Sequence, residues 1–180
     1  MQANLYKQYK EEIVPKLKNE LGYKNAMQVP KITRVIINAG IGRFIKDSGY
    51  IENVENTLRN ISGQKPVRTK AKKAISNFKI RENMEIGVMV TLRGPQMWHF
   101  LEKLLKVTFP RVRDFRGISP KSFDRQGNYT IGFKENSAFP EVKQGEIDKM
   151  HGLQIIINTT ARNQKEGVTL LSAMGFPFAK

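Results

Sequence analysis

Between Lys65 and Arg81 lie seven cationic side chains and no acid: Lys65, Arg68, Lys70, Lys72, Lys73, Lys79 and Arg81. Like charges packed this densely repel one another in a free loop, and they suit the neutralisation of phosphates. A second group, Arg111, Arg113, Arg116, Lys121 and Arg125, is diluted by Asp114 and Asp124. Groups that could do other chemistry are sparse. His99 and His151 are the only imidazoles, and no His-Glu-x-x-His spacing joins them. The chain has no cysteine, which removes disulfides, thiolate metal sites and cysteine nucleophiles. Asp114, Asp124, Glu135, Glu141 and Asp148 form no pair resembling a general acid/base couple, and Asp124 ahead of Gly127-Asn128 reads as turn chemistry. Gly40-Ile41-Gly42 lacks the third glycine of a dinucleotide fingerprint, and no Gly-Lys-Ser/Thr follows it. The residues point to binding rather than catalysis: not an enzyme, with no cofactor, no metal and no small-molecule substrate.

The whole chain is basic. Its 180 residues carry 31 Lys and Arg against 16 Asp and Glu, a net charge of +15. The excess is spread, with 17 cations against 8 acids in residues 1–90 and 14 against 8 in residues 91–180. Hydrophobic residues make up 39%, enough at this length for a core, so disorder throughout is excluded. The first residues hold no apolar stretch of a secretory signal, and no apolar run approaches the ~20 residues of a membrane span. The expectation is a soluble cytoplasmic protein with a polyanionic partner, nucleic acid ahead of a membrane surface.

Four helical stripes and several strands must carry these charges. Leu5, Tyr9, Ile13, Leu17 and Leu21 recur every four residues, with Asn4 as a candidate cap and Pro15 as an obstacle to an unbroken helix. Ile51, Val54, Leu58 and Ile61 form a second stripe, opened by Ser48 and closed by Gly63. Met97, Leu101, Leu104 and Leu105 form a third, ended by Pro110; Leu170, Leu171 and Met174 form a fourth, from Asn163 to Gly175. Period-two runs lie at Lys31–Asn38, Ile86–Arg93, Tyr129–Lys134 and Leu153–Thr160, with a shorter one expected at Phe78–Arg81. Alternation means half-buried strands. The fold class is α+β, an antiparallel sheet with helices packed on one face and the other face open.

The open face would present Arg34, Asn38, Lys79, Arg81, Thr91 and Arg93. Cations there can neutralise phosphates while Asn and Thr set position by hydrogen bonds. Lys70 to Ala74 would form a loop between two strands, a basic finger reaching for nucleic acid. Tyr6 and Tyr9 fit base stacking and core packing equally well.

Nine segments carry a resemblance, in order. They are Ile61-Ser62-Gly63-Gln64-Lys65-Pro66, Thr69-Lys70-Ala71-Lys72-Lys73, Phe78-Lys79-Ile80-Arg81, Val90-Thr91-Leu92-Arg93-Gly94 and Pro110-Arg111-Val112-Arg113-Asp114-Phe115-Arg116-Gly117. Lys121-Ser122-Phe123-Asp124, Gly127-Asn128-Tyr129, Phe139-Pro140-Glu141 and Gly175-Phe176-Pro177-Phe178 complete the set. Together they resemble the L5 family of bacterial large-subunit ribosomal proteins, which bind 5S rRNA. The likeness spans essentially the whole chain, as one RNA-binding domain with an N-terminal part of about residues 1–82 and a C-terminal part of about 83–180.

The resemblance implies a structural constituent of the large ribosomal subunit in the cytoplasm. It would help attach 5S rRNA at the central protuberance, among 23S rRNA and neighbouring large-subunit proteins. It would also approach the P-site tRNA and a small-subunit head protein. The implied 5S rRNA-binding residues are Arg34, Asn38, Gln64, Lys65, Arg81, Thr91 and Arg93. Lys70, Lys72 and Lys73 match the tRNA-proximal basic loop, and Arg111, Arg113 and Arg116 match the small-subunit side. The sequence departs from the family pattern at Ala39, Arg125, Gln154 and Asn136-Ser137-Ala138. An RNA-binding regulator acting off the ribosome and an RNA-processing enzyme are the other classes to separate.

Overall fold

The computed structural model describes residues 3–42, 44, 45, 47–142 and 150–179; Asp148, among the acids considered above, lies outside the described residues. Five strands form one antiparallel sheet in the order β2-β3-β1-β5-β4. They are β1 (Ile32–Gly40), β2 (Val67–Lys70), β3 (Glu85–Leu92), β4 (Tyr129–Phe133) and β5 (Leu153–Thr159). Alternation decides which face is buried. Val35, Ile37 and Ala39, then Val88, Val90 and Leu92, then Tyr129, Ile131 and Phe133, then Leu153, Ile155 and Ile157 are all core residues. Arg34, Ile36, Asn38, Met89, Thr91, Gln154, Ile156 and Asn158 alternate with them and keep access to solvent. The α+β reading and the open polar face are borne out.

The chain forms two compact units. One comprises Met1–Val35, Leu92–Ile131 and Ile156–Lys180; the other comprises Ile36–Thr91 and Gly132–Ile155.

In the first unit, residues 4–20 are helical throughout despite Pro15. Asn4–Gln8 is α-helical, Tyr9–Ile13 forms a π turn, and Val14–Glu20 is α-helical again. The Val14 amide reaches back five residues to the Tyr9 carbonyl. The wider turn makes room for the Pro15 ring, which would otherwise crowd the preceding carbonyls. Pro110 is handled the same way. Gly94–Lys103 is α-helical, Leu104–Thr108 is a π turn in which the Phe109 amide bonds the Leu104 carbonyl, and Phe109–Arg111 completes the run. Pro110 therefore does not end the third helix, as its sequence suggested; the helix ends at Arg111.

Tyr9 packs 5.2 Å from Trp98 and donates its hydroxyl to the Pro30 carbonyl at 3.1 Å. Burial, with a smaller contribution from Tyr6, pushes the Tyr9 phenol up to about 12. Tyr9 is thus a core residue, not a platform for bases.

Asn4 is not the cap expected of it. It is the first helical residue, and Ala3 ahead of it offers no side-chain acceptor. Glu102 supplies one from the other helical run. Its carboxylate bonds the Lys106 ammonium at 2.6 Å and also accepts the Leu5 and Asn4 amides. The Lys106 bond first, and the two amides after it, hold this carboxyl below its ordinary range. A depressed carboxyl stabilises the fold above its unfolded-state value, and that stability is lost as pH falls through the folded value. Glu102→Gln is therefore expected to cost about 1 kcal/mol at neutral pH. Thermal unfolding compared across pH should show the gap closing below about pH 4. A gap independent of pH would assign the loss to packing instead.

The second unit contains the Ser48–Ser62 helix, which buries Tyr50, Ile51, Val54, Leu58 and Ile61. Its cap is Asp47, which accepts the Tyr50 amide at 3.1 Å, rather than the expected Ser48. Gly63 closes the helix with φ of 68°, a left-handed conformation that glycine adopts without strain. The expected Phe78–Arg81 strand is absent. Ser76–Phe78 is a 3-10 turn, Lys79 is left-handed with φ of 54°, and a single bridge pairs Ile75 with Ile80. Serine, asparagine and the charge run favour a turn there over a ladder.

Candidate nucleic-acid interface

In the second unit, the open face of the sheet is built around a glycine. A Cβ on Gly87 would sit 2.8 Å from Thr69 Oγ1, 3.1 Å from the Ala39 carbonyl and 3.8 Å from Asn38 Oδ1. The absent side chain lets the Thr69 and Asn38 polar groups converge over β3. Register supports this, because Val67 pairs with Met89 and Thr69 with Gly87 across β2 and β3. Asn38 Nδ2 lies 3.5 Å from Gln154 Oε1.

Gln64 joins the same unit by local chemistry. Beyond the Gly63 turn, Ser62 Oγ donates to the Leu58 carbonyl at 2.6 Å and accepts the Gln64 amide at 3.2 Å. That fold-back aims Gln64, whose Nε2 donates to the Thr91 carbonyl at 3.4 Å. The structure thus brings Gln64 and Thr91 together, and Asn38 with Gln154 and Thr69. The sequence marks neither Thr69 nor Gln154 as a binding residue; Gln154 stands out there only as a departure from the family pattern. The alternation in Leu153–Thr160 already put Gln154 outward, but a short edge strand such as β2 gives too few residues to read Thr69 the same way.

The cations fall elsewhere. Arg68 sits opposite Val88, on the buried side of the pleat, and bonds Glu55 at 2.9 Å and Glu85 at 3.1 Å. Those partners hold it away from the open face. Lys65, Lys70, Lys72, Lys73, Lys79 and Arg81 are exposed. Lys70 ends β2 at the base of a finger between β2 and β3, and Lys72, Lys73, Lys79 and Arg81 line it. At its base the Ala71 amide bonds the Met84 carbonyl at 2.8 Å and the Asn83 amide bonds the Ala71 carbonyl at 3.0 Å; near its tip Ile75 and Ile80 exchange two bonds. Phe78 stands 70% exposed at that tip. Lys79 and Arg81, expected on the sheet face, belong to this finger because no strand forms around them.

In the first unit, Arg34 is exposed on β1 and its Nε donates to Asn158 Oδ1 at 3.3 Å. Arg93 is exposed and extended just before the Gly94 helix, continuing the outward parity of Thr91. Arg111, Arg113 and Arg116 are exposed, grouped where that helical run ends, with Phe115 stacked on Phe109 at 5.3 Å. No cluster of His, Asp and Glu suited to a metal occurs among the described residues. No helix among them is long and apolar enough to cross a membrane.

In the second unit, small polar groups on an open sheet face and cations on a finger can dock a polyanion and discriminate its shape. Comparison with known proteins gives the family. The family described as "Ribosomal protein L5" matches residues 25–81, and that described as "ribosomal L5P family C-terminus" matches residues 85–178. The chain is 53% identical to the large ribosomal subunit protein uL5 of Desulfatibacillum aliphaticivorans over 178 residues, covering 99% of each. It is 53% identical over 178 residues to that of Cupriavidus taiwanensis, again covering 99% of each. Against that of Colwellia psychrerythraea it is 49% identical, covering 99% of this chain and 98% of the relative. Matched nearly end to end, the chain belongs to the ribosomal protein L5 family of structural, non-enzymatic components of the large ribosomal subunit.

Proposed function

We propose that this chain binds 5S rRNA through the open sheet face and helps attach it at the central protuberance. The convergence of Asn38 and Thr69 over Gly87 carries the reading: a polar surface kept free of bulk at its centre. Asn38, Gln64 and Thr91 set position by hydrogen bonds, while Lys65, Arg81, Arg34 and Arg93 neutralise phosphates. The finger bearing Lys70, Lys72 and Lys73 approaches the P-site tRNA. Arg111, Arg113 and Arg116 lie on the side of the small-subunit head protein, and 23S rRNA and neighbouring large-subunit proteins complete the surroundings.

The test is binding to 5S rRNA against a competitor RNA of equal length across a salt series. If about six cations meet phosphates, the log–log salt slope is roughly −4 to −5. A preference that survives near-physiological salt supports the reading; affinities that collapse together leave only general attraction by the +15 charge. Thr91→Ala is expected to lower the ratio of 5S to competitor affinity about fivefold while leaving the slope unchanged. An unaltered ratio removes Thr91 from the recognition surface.

A further inference from the structure

In the first unit, four side chains form a hydrogen-bonded line that ends on Arg34. Asp124 Oδ1 accepts the Gln126 and Asn128 amides at 2.9 and 2.8 Å, and its Oδ2 accepts from Asn128 Nδ2 at 2.7 Å. Asn128 Oδ1 accepts the Thr159 amide at 3.0 Å and Asn158 Nδ2 at 3.3 Å. Asn158 Oδ1 then accepts from Arg34 Nε at 3.3 Å.

Chemistry allows this line only one direction. An ionised carboxylate only accepts, so Asn128 must turn its amino group toward Asp124. A backbone amide only donates, so Asn128 must turn its oxygen toward Thr159. Asn158 can meet that oxygen only with its own amino group. Its oxygen is left for the guanidinium, which only donates. The turn at 124–128 and the strands β5 and β1 are joined from a negative end at Asp124 to a positive one at Arg34. The Thr33 hydroxyl, donating to the Asn158 carbonyl at 3.1 Å, ties β1 to β5 at the same place.

Arg34 forms no ion pair among the described residues. Holding it by Nε leaves both terminal nitrogens for an outside acceptor, and the edge they form matches two oxygens of one phosphate. We propose that Asn158 is a positioning residue, which presents the terminal edge of Arg34 to an RNA phosphate. The inference rests on the RNA-binding reading above. A guanidinium already held on one side loses less freedom when the phosphate arrives, so the gain is in pre-organisation rather than in charge.

The experiment measures 5S rRNA binding of the full chain and of Arg34→Ala, Asn158→Ala and the double variant, each with its salt slope and thermal unfolding. Arg34→Ala is expected to weaken binding about tenfold and to flatten the slope by about one unit. Asn158→Ala is expected to weaken it about threefold with the slope unchanged, because the charge remains while its placement is lost. The double variant should bind no more weakly than Arg34→Ala. Losses that add in the double variant, or an Asn158→Ala affinity equal to wild type, overturn the proposal. Should Asn158→Ala unfold, Asn158→Ser asks the same question: its hydroxyl can still donate toward Asn128 but is one bond too short to hold Arg34, so binding should weaken about threefold at unchanged slope, and wild-type affinity overturns the proposal. A wild-type chain that binds 5S and competitor RNA alike fails the recognition reading, but the coupling of Arg34 and Asn158 is measurable on either RNA and is judged separately.

Discussion

Gly167→Ala is expected to lower the thermal unfolding midpoint by roughly 10 °C, corresponding to about 3 kcal/mol. By helix propensity alone the change should help, since Gly167 lies inside the Gln164–Ala173 helix and alanine there is favoured by about 1 kcal/mol. Space decides otherwise. A Cβ at Gly167 would stand 2.7 Å from the Gly127 carbonyl oxygen, 3.0 Å from Gly127 Cα and 3.0 Å from Phe123 Cε1. Two of these are backbone atoms, which cannot swing away. Gly127 cannot retreat either. It holds φ of +75°, and its own missing Cβ faces Ala161 Cβ at 2.6 Å and the Asn163 carbonyl at 2.7 Å. Helix and turn therefore meet backbone to backbone. Gly132→Ala is the control: no atom lies within 4 Å of its Cβ position, and its midpoint should move by less than about 2 °C. A higher midpoint for Gly167→Ala would mean that the turn yields and that propensity governs.

Replacing Lys70, Lys72 and Lys73 together by glutamine is expected to weaken binding to tRNA about a hundredfold at moderate salt. Three lost phosphate contacts should also flatten the log–log salt slope by about 2 to 3 units. All three side chains are exposed, so the fold should be untouched. The preference for 5S rRNA over a competitor should survive, because Asn38, Gln64 and Thr91 are unaltered. Filter binding or fluorescence titration of the triple variant against both RNAs separates the surfaces. A triple variant that loses 5S preference along with tRNA affinity would merge finger and sheet face into a single site.

Much of the fold is legible in the sequence. Alternation at Ile86–Arg93 and Leu153–Thr160 gave the buried and open faces, because a period of two leaves each side chain one choice of face. The stripe from Ile51 to Ile61 gave its helix for the equivalent reason at a period of 3.6. What failed was local. Phe78–Arg81 alternates in polarity but closes as a turn, since four residues beside serine and asparagine carry too little pattern to outweigh turn chemistry. Pro15 is an obstacle to an unbroken helix and Pro110 a helix end by sequence, whereas a π turn absorbs each. Within the candidate site, Asn38, Gln64 and Thr91 were visible as types. Their pairing was not: Asn38 meets Gln154 across 116 positions and Arg34 meets Asn158 across 124, and contacts so distant leave no local signal.

The two π turns also bear on how these helices can change through descent. Each places one extra residue ahead of a proline, closing two positions before it: Ile13 ahead of Pro15, Thr108 ahead of Pro110. The extra residue rotates everything after it, so Leu17 buries with Leu5 and Tyr9 only because the inserted turn restores the phase. Losing the proline alone leaves a helix with a superfluous residue; losing the residue alone leaves a proline with no room. Proline and insertion are therefore coupled in each helix, and a variant that alters one is expected to strain the packing set by the other.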